Sequence, residues 1–265
     1  MSEPEVDERR ERRVFWRLSR QRLVEMAVVV FGVLIALAFD NLVEEIRLRG
    51  DAHDLEVAFR DDILNAVRNS WERQVIAPCL TQKLSVLTAQ VMTPEGAWDA
   101  APAVSTGGLA VALPQPYRAP SRRWSTASFD RALGSEAFKR IPRDRAETYA
   151  ELFAQIDARR ENNADEYAAV SSLAPLAFPQ TGVDAAVRVG LLQNLSMVDR
   201  HRVLAFVQSE QIIERALSMR GIADIRATIL EGRPNYDRLI SQTRASYGDC
   251  IDARATDRLM SAAGA

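Results

Sequence analysis

The sequence predicts an all-α protein: one N-terminal transmembrane helix that continues into an extracytoplasmic helical bundle. Three observations predict it. Leu23–Phe39 reads LVEMAVVVFGVLIALAF and is uncharged from Met26 onward. Downstream, apolar residues recur at three- and four-residue spacings, the signature of amphipathic helices. Alternating runs bounded by turn residues, which would announce strands, do not appear, so no sheet is expected.

Residues 1–22 form a basic cytoplasmic tail. SEPEVDERRE, at 2–11, is charged and lacks apolar periodicity, and it reads as disordered. Arg12, Arg13, Arg17, Arg20 and Arg22 follow with no acid among them, and Phe15 and Trp16 stand within reach of a membrane interface. A tail of about twenty residues is too short for a kinase, a DNA-binding domain or any other output module.

Residues 23–43 are the expected span. Met26–Phe39 alone fits a buried core helix or a signal-peptide core as well as a membrane helix. Counted from Leu23 to Val43, the run reaches roughly 31 Å at ~1.5 Å per residue. Glu25, Asp40 and Asn41 then meet water at the two interfaces. Arginines crowd one flank, and Asp40, Glu44, Glu45, Asp51 and Asp54 stand on the other. The positive-inside rule therefore puts the N-terminus in the cytoplasm and the bulk of the chain, after about residue 43, outside.

Two other readings stay open beside this one. Arg12-Arg13-Val14-Phe15-Trp16 looks like a twin-arginine export signal, with a passable cut after Ala38 in Ala36-Leu37-Ala38. The run also fits a soluble core helix. Against cleavage, nine residues including Glu25 separate Trp16 from the apolar run, and helix-compatible sequence continues through the cut. An uncleaved anchor is the reading adopted. Within it, Gly32 and Ala36 make a small-xxx-small pair of the kind that lets membrane helices approach, although both residues are common in such helices anyway.

Composition bounds the remainder. Of 265 residues with net charge −2, the tail carries seven arginines against five acids, +2, which leaves −4 for the rest. Arginines scattered among acids give no electrostatic footprint for nucleic acid, and none is expected as a partner. Cys79 and Cys250 are too far apart for a metal or redox motif. In an oxidising compartment they invite a disulfide joining the start of the domain to its end, the alternative being two free thiols.

From Leu42 into residues 44–91 the recurring apolar positions are Ile46, Val57, Phe59, Ile63, Val67 and Trp71, then Leu80, Leu84, Leu87 and Val91. These predict long membrane-proximal helices, with Gly50 a weak point and Pro78 a permitted break or kink. Residues 92–123 form a long loop rich in proline and glycine. Its Ser105-Thr106-Gly107-Gly108 lacks the lysine and the strand–helix setting of a phosphate loop.

Residues 124–265 are read as the helical bundle that completes the domain. Trp124–Leu133 predicts a short helix closed by Gly134. A longer helix opens near Pro142 and runs to about Leu173, with Arg159–Asn163 a polar break read as a solvated face rather than a buried polar layer. Ser196-x-x-Asp199 resembles a capping box, after which Val203, Phe206, Val207, Ile213, Ala216 and Leu217 form one face. Gly221 and Gly232-Arg233-Pro234 punctuate, and a final helix through Tyr236, Leu239, Ile240 and Tyr247 delivers Cys250. The external part is thus a bundle of five or six helices.

Val28–Asn41, VVVFGVLIALAFDN, followed by a charged helix, resembles an uncharacterised family of bacterial single-pass inner-membrane proteins. That family carries a G-(I/V)-L-I-A-L-x-(I/V/F)-(D/N)-x-W anchor; here Leu42 stands near the usual tryptophan. Trp124–Ala127, Ala132-Leu133-Gly134 and Tyr149–Glu161 are similar to a recurrent helical segment of the same group. The resemblance implies an uncleaved anchor and a helical periplasmic domain, and it transfers no catalytic residue.

Chemistry-bearing patterns are sparse. His53 and His201, the two histidines, have no second ligand at zinc spacing. No G-x-S-x-G supports a nucleophile. Glu44-Glu45 and Asp61-Asp62 read as solvated helix faces. Neither a catalytic residue, a metal nor a cofactor is expected.

The remaining candidates surround the loop: Trp98, Tyr117, Arg118, Arg122, Arg123 and Trp124, read as an exposed binding surface for a protein or a small anionic ligand. The alternative is that Trp124 caps the core and the arginines are solvated. The function expected is a non-enzymatic interaction or scaffold role, with the bilayer and a homodimer or membrane-protein partner. The rival function is a ligand-sensing module that signals through a separate membrane partner. An enzyme with an unrecognised helical site is a third reading.

Overall fold

The computed structural model describes residues 5–104, 113–219 and 225–265, with side chains from Glu25 onward except at 103, 104 and 113. The arginine flank at 12–22, Ser105–Gly108 and Gly221 therefore lie outside what is described of side chains or backbone. Among the described residues there are seven α-helices and one two-stranded pair. The chain divides into one unit ending at His53 and a second, Asp54–Ala265.

Helix α1 (Glu5–Val91) runs without interruption through Gly50 and Pro78. The expected disorder over 2–11 gives way to helix from Glu5, where arginine and glutamate are good helix formers. In the first unit, α1 contains the single described stretch long and apolar enough to cross a membrane, and that stretch is not buried in the protein. Met26 is 68% exposed and Phe31 65%.

In the second unit the face of α1 carrying Phe59, Ile63, Val67, Trp71, Ile76, Leu80, Leu84 and Leu87 is buried, as its spacing predicts. Pro78 is exposed and does not break the helix. One turn earlier the Val75 carbonyl accepts the Asp252 amide at 2.8 Å, so part of the backbone around the proline bonds outside the helix. The same stretch holds the Cys79–Cys250 disulfide.

Helix α2 (Ala127–Ala132) is shorter than Trp124–Leu133 predicts, and Gly134 at φ +85° turns the chain beyond it. Asp62 of α1 accepts the Ser128 amide at 3.3 Å and the Ser128 hydroxyl. Asp62 is therefore a half-buried acceptor at the N-terminus of α2 rather than a solvated face, while Asp61 is exposed.

Helix α3 (Arg143–Ser171) starts immediately after Pro142, and packs along α4 (Ala185–Ser218). The N-cap of α4 is Asp184, whose side chain accepts the Val187 amide at 2.9 Å. Ser196 and Asp199 consequently fall inside α4 and cap nothing. The buried stripe of α4 is Leu191, Leu195, Val198, Ala205, Ser209, Ile212, Ile213, Ala216 and Leu217. Of the expected face, Ile213, Ala216 and Leu217 are buried, Phe206 is half-buried, and Val203 and Val207 are exposed.

Helices α5 (Ile225–Glu231), α6 (Arg233–Tyr247) and α7 (Ala255–Gly264) close the unit. Pro234 stands in the first turn of α6 and Gly248, at φ +87°, ends it. Helix α7 lies beyond the last helix expected from the sequence.

The core has an aromatic centre. Phe59 of α1 touches Phe129, Tyr149 and Phe153 with ring centroids 5.0–5.7 Å apart, and Phe129 stacks on Phe153 at 4.7 Å. Trp71 meets Tyr236 of α6 edge-on at 4.9 Å. Each such pair adds about 0.5–1.5 kcal/mol beyond its burial.

Candidate functional site

The loop after α1 is tied down on both sides. Residues 96–101 run antiparallel to 177–183: Trp98 and Gln180 exchange backbone hydrogen bonds at 3.1 and 2.9 Å, and the Val183 amide donates to the Gly96 carbonyl at 3.0 Å. A short antiparallel pair, β1 (Ala103–Val104) with β2 (Leu113–Pro114), follows, where no sheet was expected. From Pro114 the chain crosses the domain as a strap to Trp124. Arg122 clasps Glu72 of α1 with two hydrogen bonds, and Asn69 of α1 donates to the Arg123 carbonyl at 3.0 Å. The ion pair and its hydrogen bonds push the Arg122 guanidinium further up its already high range.

A buried charged cluster sits near the strap. Arg73 comes from α1, and Arg159 and Glu166 come from α3; all three are at most 2% exposed. Arg73 donates to Glu166 Oε1, while Arg159 Nη2 stands 3.9 Å from Glu166 Oε2. Asn162, on the same face of α3, clamps His201 of α4: Oδ1 lies 2.7 Å from His201 Nδ1, and Nδ2 donates to the His201 carbonyl at 3.2 Å. Of the polar break in α3, Arg159 and Asn162 are thus part of a buried polar layer, while Arg160 and Glu161 are exposed as a solvated face. Arg159, Asn162 and Glu166 continue the buried stripe of Leu152 and Ile156 at three- and four-residue steps, so periodicity puts them inside.

Two guanidiniums against one carboxylate leave one excess positive charge in the interior. Burial pushes Arg159 down to about 10, helped by Arg73 and opposed by Glu166. Its guanidinium lies 4.9 Å over the ring of buried Trp124, whose face compensates part of the charge. Several donors find no partner within the protein: Arg73 Nη1, Arg159 Nε and Nη1, and the Tyr117 hydroxyl. Buried polar atoms are usually satisfied, so such a concentration singles out this region.

Between strap and α3 lies a groove of 540 Å³. Pro116, Tyr117 and Pro120 line it from the strap, and Tyr167, Val170 and Phe178 from the other side, with Glu166 also in the lining. Its volume falls in the range of small-molecule sites. Tyr117 is buried, and burial raises its phenol well above the ordinary value, with Arg73 lowering it and Glu166 raising it.

The six loop candidates are not one exposed surface. Trp98, Tyr117 and Trp124 are buried because their rings fill the core. Tyr117 and Arg118 do share the groove, and Arg118 also lies 5.6 Å over the Tyr247 ring. Arg122 and Arg123 are exposed, and the backbone of Arg123 anchors the strap. Gly32 and Ala36 lie exposed on α1, with nothing within 4 Å of a Cβ built on Gly32. His53 is exposed as well. Among the described residues, no group of three or more His, Cys, Asp or Glu side chains is placed to hold a metal ion.

No family model, curated protein or solved structure matches this chain.

Proposed function

We propose that this chain is a bacterial inner-membrane protein whose disulfide-stapled helical domain lies outside the cytoplasm and works by binding rather than by catalysis. The observation that carries the reading is the exposed apolar stretch of α1, whose large side chains from Met26 to Ile46 are not covered by any of the described residues. Exposed apolar area on that scale needs a bilayer or a partner. The Cys79–Cys250 bridge supports an oxidising compartment for the domain. The resemblance of Val28–Asn41 to bacterial single-pass anchors agrees with it.

Intact mass and alkylation of membrane and soluble fractions test it. A full-length chain in the membrane fraction, with both cysteines unreactive until reductant is added, is the expected result. A soluble chain beginning after Ala38, or thiols alkylated without reductant, would overturn it. Co-purification in mild detergent then asks whether the binding partner is a second copy or another membrane protein.

The groove beneath the strap favours the ligand-sensing variant of this reading. A buried charged cluster beside an apolar cleft is more than a scaffold surface requires. In that variant the ligand biases the domain, and a separate membrane protein reads the change.

A further inference from the structure

We propose that the groove between the strap and α3 binds a small organic carboxylate with an apolar body. The inference rests on the ligand-binding reading above and names its ligand class. Charge decides the class. Arg73, Arg159 and Glu166 sum to +1 in a region where each residue is at most 2% exposed. A cationic ligand seated against Glu166 would raise that to +2, whereas a carboxylate brings it to zero. Uncompensated buried charge is what proteins avoid most strongly.

Donor geometry agrees. Glu166 lines the groove, and Arg73, which donates to its Oε1, keeps Nη1 without a partner. Tyr117, 3% exposed, also lines the groove; its hydroxyl is buried beside it with no partner, and both Arg73 and Glu166 act on it electrostatically. A ligand carboxylate seated at Tyr117 accepts from its hydroxyl and neutralises the arginine excess. Arg118 adds a further positive charge at the same groove. The body of the ligand lies between Pro116 and Pro120 on one side and Tyr167, Val170 and Phe178 on the other. Tyr167 is 67% exposed and Phe178 57%, so apolar area at the rim is available to cover.

The test is calorimetric titration of the full chain in nonionic detergent with acetate, phenylacetate and octanoate. Phenethyl alcohol and phenethylammonium serve as neutral and cationic counterparts. Phenylacetate and octanoate should saturate one site more tightly than acetate, and phenylacetate at least about 10-fold more tightly than either counterpart. Tyr117→Phe keeps the ring and removes one hydrogen bond to a charged group, a loss of about 10-fold or more in affinity. Val170→Trp fills the cleft and should abolish binding while leaving the circular dichroism unchanged. Saturable binding of the alcohol or the ammonium as tight as that of phenylacetate overturns the carboxylate and leaves a ligand site. Absence of saturable heat with every probe overturns both the carboxylate and the site. An unchanged affinity in Tyr117→Phe overturns the seat at Tyr117.

Discussion

Replacing Glu166 by glutamine removes the one carboxylate that, among the described residues, pairs with Arg73 and Arg159, and leaves the shape of the side chain almost unchanged. The side chains of Glu166, Arg73 and Arg159 are each 2% exposed, so water cannot take over the lost compensation. Breaking a buried pair by removing one partner costs about 3–5 kcal/mol. The glutamine carbonyl still accepts one hydrogen bond from Arg73, which puts the expected loss near ~3 kcal/mol. For a domain of this size, that lowers the melting temperature by about 6–12 °C. The triple replacement Arg73→Met, Arg159→Met and Glu166→Leu behaves differently, because it removes the desolvation cost together with the attraction. It should leave stability within about 2 kcal/mol of the parent, or above it. Urea unfolding of the full chain in nonionic detergent, with the disulfide intact, measures both. The fluorescence of buried Trp71, Trp98 and Trp124 reports the domain. A Glu166→Gln loss below about 1 kcal/mol would refute the picture of an interior with an excess guanidinium. A triple variant as unstable as the single one would refute the charge accounting.

Cys79→Ser with Cys250→Ser opens a bridge closing a sequence separation of 171. Chain entropy sets the ceiling of the loss at about 5 kcal/mol, so a midpoint shift in urea equivalent to about 2–5 kcal/mol is expected. Gly96→Ala puts a Cβ 2.6 Å from the Val183 carbonyl oxygen at φ +56°, and the pairing of 96–101 with 177–183 should loosen. A loss of about 1–3 kcal/mol, with faster amide exchange at Trp98 and Gln180, is the outcome to look for. Burial raises the phenols of Tyr117, Tyr149, Tyr236 and Tyr247. Their folded pKa values exceed the unfolded value of about 10, so the unfolded chain binds fewer protons and stability falls as pH rises above about 10. Phenolate absorbance at about pH 11 should therefore stay well below that of the denatured chain.

Much of the fold is legible because local physics dictates it. Pro142 marks the start of α3, Gly134 at positive φ turns the chain after α2, and the α1 stripe from Phe59 to Leu87 needs nothing but its spacing. The disulfide is legible from two cysteines and a compartment argument. What escapes the sequence is set by partners distant along the chain. Ser196 has the composition of a cap, but Asp184 stands earlier with a free amide at Val187 to bond. Pro78 is tolerated in a helix whose neighbouring Val75 carbonyl is taken by Asp252. Arginine and tryptophan beside prolines look like a surface, yet Trp124 is buried under Arg159, which itself answers Glu166. The groove was half legible: Tyr117 and Arg118 belong to it, while Glu166 and Arg159 sit where the α3 periodicity says an inward face should be.

The position of the disulfide governs how the protein can be destroyed. Cys79 lies on the same helix as the apolar stretch, and Cys250 is fifteen residues from the C-terminal Ala265. A protease that nicks the chain anywhere between the two cysteines, the strap included, cuts a closed covalent ring once and leaves both pieces attached to α1. Such a nicked molecule runs as two fragments only after reduction. Shedding the domain requires a cut upstream of Cys79, in helix, or reduction together with a nick. Wear to the surface of the domain therefore accumulates in place rather than releasing it.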